Sequence, residues 1–252
     1  MSSKLGAGRF IAATVGVIRL QGRAMAAAAP WSLAVFMLTL PFALVASTPY
    51  QMRDWAILAL ALVNLIAFAR TTYAWHRVVV RGEAAHAGPT RGGNGEFRHF
   101  VLLGGLAIGV MALARATGDL PYVLYMLMGG ANEPLFYGVL IAMLALVWMP
   151  VLHALAVYGP SLPRAAVKGD YGFGAVRAGM RYPRWPLMLA LLLLLVLGAH
   201  AANDLRPLAY DYVGLQALQG VLGAAACAAM VFVLTAMYAV AYRDAAPAAD
   251  LN

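Results

Sequence analysis

The chain has 252 residues, 63% of them hydrophobic and 11% charged, with a formal net charge of +8 and one cysteine; its mean hydropathy is +0.77. A water-soluble domain carries about 25% charged residues, so the deficit excludes a single soluble core and is what a lipid-facing surface requires. The basic excess flanks apolar runs and reads as topology determinants rather than a nucleic-acid surface, and the lone Cys227 excludes an intrachain disulfide and a thiolate metal site.

In chain order, the first predicted element is a helix over residues 5–27. At about 100° per residue, Phe10, Ile11, Thr14, Val15, Val17, Ile18 and Met25 share one arc, with Arg9, Arg19 and Arg23 opposite and Lys4 out of register. This is the pattern of a basic amphipathic helix lying in the inner membrane interface. The alternative is a targeting segment, but Arg19 and Arg23 follow the apolar stretch at once, where a small-residue cleavage site belongs.

Six stretches are then long enough to cross about 30 Å of hydrocarbon: 30–48, 54–78, 97–117, 134–158, 185–202 and 212–242. Lys4, Arg9, Arg19 and Arg23 precede the first; Arg77, Arg81, Arg91 and Arg98 lie between the second and third. Arg164, Lys168, Arg177, Arg181 and Arg184 lie between the fourth and fifth, and Arg243 follows the sixth. The other connections hold only Arg53 and Arg206, beside Asp54, Asp119, Glu133, Asp204 and Asp211. Loops rich in Lys and Arg stay in the cytoplasm, so the alternation predicts six spans with both termini inside. Trp31, Tyr50, Trp55, Tyr73, Trp75, Tyr158, Trp185, Tyr210, Tyr212 and Tyr242 fall near the ends as an aromatic belt.

Within the spans, Gly105-Leu106-Ala107-Ile108-Gly109 and the series Gly220, Ala224, Ala228 are small-residue faces that permit close helix approach. Pro41 and Pro150 each leave a carbonyl one turn earlier, at Met37 and Leu146, without its N–H. Asn64 is the one mid-span amide, suited to a hydrogen bond between helices. The span middles hold no Asp or Glu, the usual mark of a proton relay or coupling-ion site.

Three groups of residues are candidates for chemistry. His76, His99 and His153 fall near the inner ends of three spans, where converging imidazoles can ligate zinc or haem iron. None is paired at ligand spacing, so the expectation is no metal and no cofactor; His86 and His200 lie elsewhere. Arg70, Arg77 and Arg81 fall within about 40° of one another on a helical projection, followed by Gly82-Glu83. Snorkelling to lipid phosphates accounts for this stripe; a specific site for a phosphate-bearing lipid or substrate is the sharper reading. The connection 119–133 carries an apolar segment, 120–128, too short to span and too apolar for a solvated loop. Bracketed by Pro121 and Gly129-Gly130, it suits a helix parallel to the membrane, and Tyr122, Tyr125, Met126 and Met128 make it a docking candidate. The glycines of 169–174 lack a phosphate-cradling pattern and read as a flexible turn.

The segment Tyr73-Ala74-Trp75-His76-Arg77-Val78-Val79-Val80-Arg81-Gly82-Glu83 resembles the end of the second helix in uncharacterised bacterial inner-membrane proteins with a Trp-His-Arg and a Gly-Glu. Leu162-Pro163-Arg164-Ala165-Ala166-Val167, with Ala175-Val176-Arg177-Ala178-Gly179, is similar to their second cytoplasmic loop. That group in turn resembles the six-helix membrane domain fused to some glycerophosphodiester phosphodiesterases. The chain departs in Val and Arg where a Leu pair is usual, and in Gly159-Pro160-Ser161 before its Leu-Pro. The resemblance implies an interfacial helix and six spans, and brings no activity or catalytic residue.

The expected class is therefore all-α, a polytopic protein of a bacterial inner membrane in contact with anionic phospholipids and other integral membrane proteins, not nucleic acid. A non-enzymatic accessory or scaffold subunit is the leading reading, and a transporter or lipid-handling protein the rival.

Overall fold

The computed structural model describes residues 5–46, 55–82, 93–130, 134–205 and 215–245, with side chains in the last segment from Leu218 onward. Lys4, Tyr50, Arg53, Asp54, Glu83, His86, Arg91, Glu133, Arg206, Tyr210, Asp211 and Tyr212 lie outside the described residues. Within them the chain is all-α: α1 (Ala7–Ala28), α2 (Pro30–Ala46), α3 (Trp55–Arg81), α4 (Asn94–Gly118), α5 (Leu120–Leu127), α6 (Pro134–Tyr158), α7 (Ser161–Lys168), α8 (Phe173–Gly179), α9 (Trp185–Leu205) and α10 (Leu215–Arg243).

Five helical stretches are long and apolar enough to cross a membrane: α3, α4 with α5, α6 with α7, α9 and α10. The predicted span at 30–48 is the short one. Its helix, α2, has 17 residues, about 26 Å at 1.5 Å each, and qualifies only together with α1, from which it is bent by 89°. The predicted span at 97–117 is longer than expected. Together with α5, α4 makes a 34-residue stretch, Asn94–Leu127.

α10 is the centre of the packing and touches α9, α3, α1 and α2. Along its contact with α9, a Cβ at Gly220 would come within 2.7 Å of Leu205 Cγ, and one at Gly223 within 2.8 Å of Ala201 Cβ. Close backbone approach is what such a small-residue face provides in a bilayer, where packing rather than water release draws helices together. Ala224, Cys227 and Ala228 continue that face into a buried cluster with Phe36, Leu40, Ala67 and Ala201. Asn64 supplies the polar link. Its Nδ2 donates to the Phe36 carbonyl (2.8 Å) and to Thr39 Oγ1 (3.0 Å), tying α3 to α2 in the turn before Pro41.

The apolar arc of α1 is divided. Phe10, Val17 and Met25 are buried in the largest core cluster with residues of α3, α9 and α10, whereas Ile11 and Val15 are exposed, as are Arg9, Arg19 and Arg23 on the opposite arc. The start of α1 is clamped by Leu5 N–H donating to the Arg181 carbonyl (3.0 Å) and by Phe10 against Tyr182, ring centroids 4.5 Å apart. Tyr182 in turn donates its hydroxyl to Asp244, just past α10. Burial first, and then that hydrogen bond, push the phenol up to about 12.

Candidate functional site at the basic end of the bundle

The end of the bundle where α3 finishes and α4 begins carries most of the charge, and α7 is what organises it. Leu162, Ala165 and Ala166 bury one face of this short helix against α3 and α4, while Arg164 and Lys168 hold the other. The alanines let the chain approach closely: a Cβ at Gly95 of α4 would sit 3.2 Å from the Ala165 carbonyl.

His99 is fully buried beside α7. Its Nδ1 is 3.1 Å from the Leu162 carbonyl and its Nε2 is 3.1 Å from Thr72 Oγ1. A carbonyl only accepts, so Nδ1 carries the proton; in the neutral ring Nε2 then accepts from the Thr72 hydroxyl. That hydroxyl also lies 2.9 Å from the Phe68 carbonyl and has one proton to give. His76, one turn after Thr72, meets the His99 ring edge-on at 5.4 Å. Its Nδ1, Thr71 Oγ1 and Ser161 Oγ are buried without a hydrogen-bond partner among the described residues, and such atoms are costly in an interior. Two histidines are thus brought together and the third is not. His153, on α6, sits 3.4 Å from Arg184 Nη1, and among the described residues no group of three or more His, Cys, Asp or Glu is placed to hold a metal ion.

The three arginines of the predicted stripe meet different neighbours. Arg81 donates to the Val167 carbonyl at 2.7 Å, and Arg98 donates to that of Gly169. Both satisfy carbonyls at the C-terminal end of α7, where positive charge is favoured. Arg77 lies over the Tyr73 ring, 5.7 Å from its centroid. Arg70 is exposed and lines a separate cavity of about 380 Å³ with Ile66, Ala69, Gly93, Glu96, Phe97 and Phe100. Residues sharing one arc of a helix meet different neighbours at different heights, and the projection is blind to that.

The glycines after α7 are a cap, not a free turn. Gly169 is left-handed (φ 71°) and donates its N–H to the Ala165 carbonyl at 3.0 Å. Asp170 pairs with Arg164 through Nε and, at 3.1 Å, through Nη2. This guanidinium holds the Asp170 carboxyl below the usual range. Gly172 is left-handed (φ 48°), a conformation that favours glycine, and a Cβ there would also displace the Arg164 guanidinium.

At the opposite end, Tyr122, Tyr125 and Met126 are exposed on α5, Met128 is half-buried and Leu124 is turned inward. Between α4 and α6 runs an apolar groove of about 440 Å³, walled by Gly105, Leu106, Gly109 and Val110 on one side and by Val151, Ala154, Leu155 and Tyr158 on the other. A Cβ at Gly105 or Gly109 would meet nothing within 4 Å. The second small-residue face therefore packs on no helix of the described chain.

Thr72, Ser161 and Glu96 are the participants that sequence reasoning passed over. The only sequence signal for Thr72 is its i, i+4 spacing to His76. Compared with protein-family models, curated proteins and solved structures, the chain matches none.

Proposed function

We propose that this chain is a non-enzymatic accessory or scaffold subunit of a bacterial inner membrane, offering the α4–α6 groove to a transmembrane helix of another protein. The observation that carries the reading is the open Gly105–Gly109 face. The equivalent face on α10 is covered by α9, and a small-residue face left open among the described residues fits a helix from elsewhere. The exposed Tyr122, Tyr125 and Met126 of α5 offer such a partner a further apolar surface.

Six spans, with α2 the shortest and α1 in the inner interface, complete the proposal. Arg81, Arg98, Arg164, Lys168, Arg177, Arg181, Arg184 and Arg243 gather at one end, against Arg115, Asp119 and Asp204 toward the other among the described residues. This asymmetry supports a cytoplasmic location for the basic end. The right-angled entry of α1 into α2 and the outward Arg9, Arg19 and Arg23 suit a helix lying flat among anionic headgroups.

A photo-activatable residue at Leu106 or Val110, introduced in cells, tests the docking. A discrete protein adduct that disappears with Gly109→Leu, in a chain still inserted, is the expected result. Adducts only with lipid, or a protein adduct indifferent to Gly109→Leu, overturn the reading.

A further inference from the structure

The cavity holding Arg70 has a composition the groove lacks. Its floor and rim are apolar (Ile66, Ala69, Phe97, Phe100), and it carries one cation, Arg70 of α3, and one anion, Glu96 of α4. Arg70 makes no hydrogen bond or ion pair among the described residues, with Glu96 or any other group. Ile66 and Phe97 are exposed beside it, so the cavity opens on the apolar surface of the bundle.

A guanidinium left without an acceptor beside exposed apolar side chains suits an anionic oxygen cluster presented at the membrane surface. A ligand that is only anionic would meet repulsion from Glu96. One that carries an ammonium as well as a phosphate offers each of the two groups a partner of opposite charge. The carboxylate has about four lone-pair positions, so the contact Glu96 makes within the chain leaves room for an added N–H donor. Phe97, Phe100 and Ile66 then lie where the acyl chains of such a lipid run.

We propose that the Arg70–Glu96 cavity is a binding site for a zwitterionic phospholipid with a primary ammonium headgroup, its phosphate on Arg70 and its ammonium on Glu96. The site is independent of the α4–α6 groove and of whatever occupies it, so loss of the docking reading leaves it intact.

The test uses the full chain in nanodiscs of phosphatidylcholine, whose quaternary ammonium has no N–H, doped equally with phosphatidylethanolamine and phosphatidylglycerol. Retained lipid is read by native mass spectrometry. The expected result is retention of phosphatidylethanolamine over phosphatidylglycerol by about tenfold, the worth of one charge-assisted hydrogen bond. Arg70→Gln should lower retention of both lipids, whereas Glu96→Gln should invert the preference toward phosphatidylglycerol. Should Arg70→Gln fail to fold, Glu96→Gln alone decides the matter. Phosphatidylglycerol favoured by the native chain, or a preference unmoved by Glu96→Gln, overturns the proposal. So does displacement of the lipid by soluble glycerophosphoethanolamine, which would make the ligand a free headgroup.

Discussion

His99 and Thr72, 27 residues apart, are joined by a buried contact of 3.1 Å between Nε2 and Oγ1, and through the other ring nitrogen the same imidazole reaches the Leu162 carbonyl. One side chain therefore ties α3, α4 and α7 together. His99→Leu should remove both hydrogen bonds of the buried ring, leaving the Leu162 carbonyl only its helical partner in α7, and destabilise the protein by about 2 kcal/mol. Thr72→Val removes only one arm and should cost about 1 kcal/mol. Cys227 is buried and is the only thiol, so heat-induced labelling by a thiol-reactive dye measures both. Equal stability of His99→Leu and the native chain would show that the contact ties nothing.

Gly159 sits at the join of α6 and α7 against Tyr238 of α10. A Cβ there would lie 2.1 Å from the Tyr238 ring and 2.6 Å from the Leu155 carbonyl, to which the Tyr238 hydroxyl also donates at 3.2 Å. Gly159→Ala should accordingly cost about 2 kcal/mol or more through overpacking, with Tyr238→Leu partly restoring stability in the double variant. A destabilised Gly159→Ala that Tyr238→Leu makes worse would point to backbone conformation instead.

Two ionisable groups outside the spans give stability a pH dependence of known sign. The Asp170 carboxyl is held low by Arg164, so its contribution is present above the ordinary aspartate range and is lost as pH falls through the lowered folded value. Its side chain is nearly half exposed, and solvent screening keeps that contribution below about 1 kcal/mol. The Tyr182 phenol is raised to about 12, so its contribution is present below about pH 10 and is lost as pH rises from there through the folded value. Melts followed by circular dichroism from about pH 8 upward should lose stability above about pH 10, and Tyr182→Phe should remove part of that loss. An unchanged alkaline slope in Tyr182→Phe would clear Tyr182 of the effect.

Arg177 on α8 and Met126 on α5 are both exposed and stand at opposite ends of the bundle. In cells, cysteine at position 177 should react with impermeant reagents only from the cytoplasmic side, and cysteine at position 126 only from outside. Labelling of both from the same side would refute the proposed topology. Tyr125→Asp with Met126→Asp should leave insertion intact and weaken any protein adduct formed at the α4–α6 groove; an undiminished adduct would confine docking to the groove.

What the sequence determined alone are the features a membrane imposes on a linear chain. Apolar length and flanking charge place helices at positions close to those observed, as with 54–78 against α3 and 134–158 against α6, because both depend on transfer from water to hydrocarbon residue by residue. Asn64 was legible for the same reason: an amide in mid-span must find a partner there, and it binds α2. Tertiary structure decided which groups meet. His99 finds Leu162 across 63 residues and Arg81 finds Val167 across 86, and both encounters exist because α7, hidden in a basic loop, folds when α3 and α4 cover its alanine face. The two small-residue faces read alike in sequence, yet α9 closes one and nothing in the described chain closes the other. Helical periodicity says which side chains share a face, while the neighbour that arrives at that face is set by packing between segments far apart in the chain.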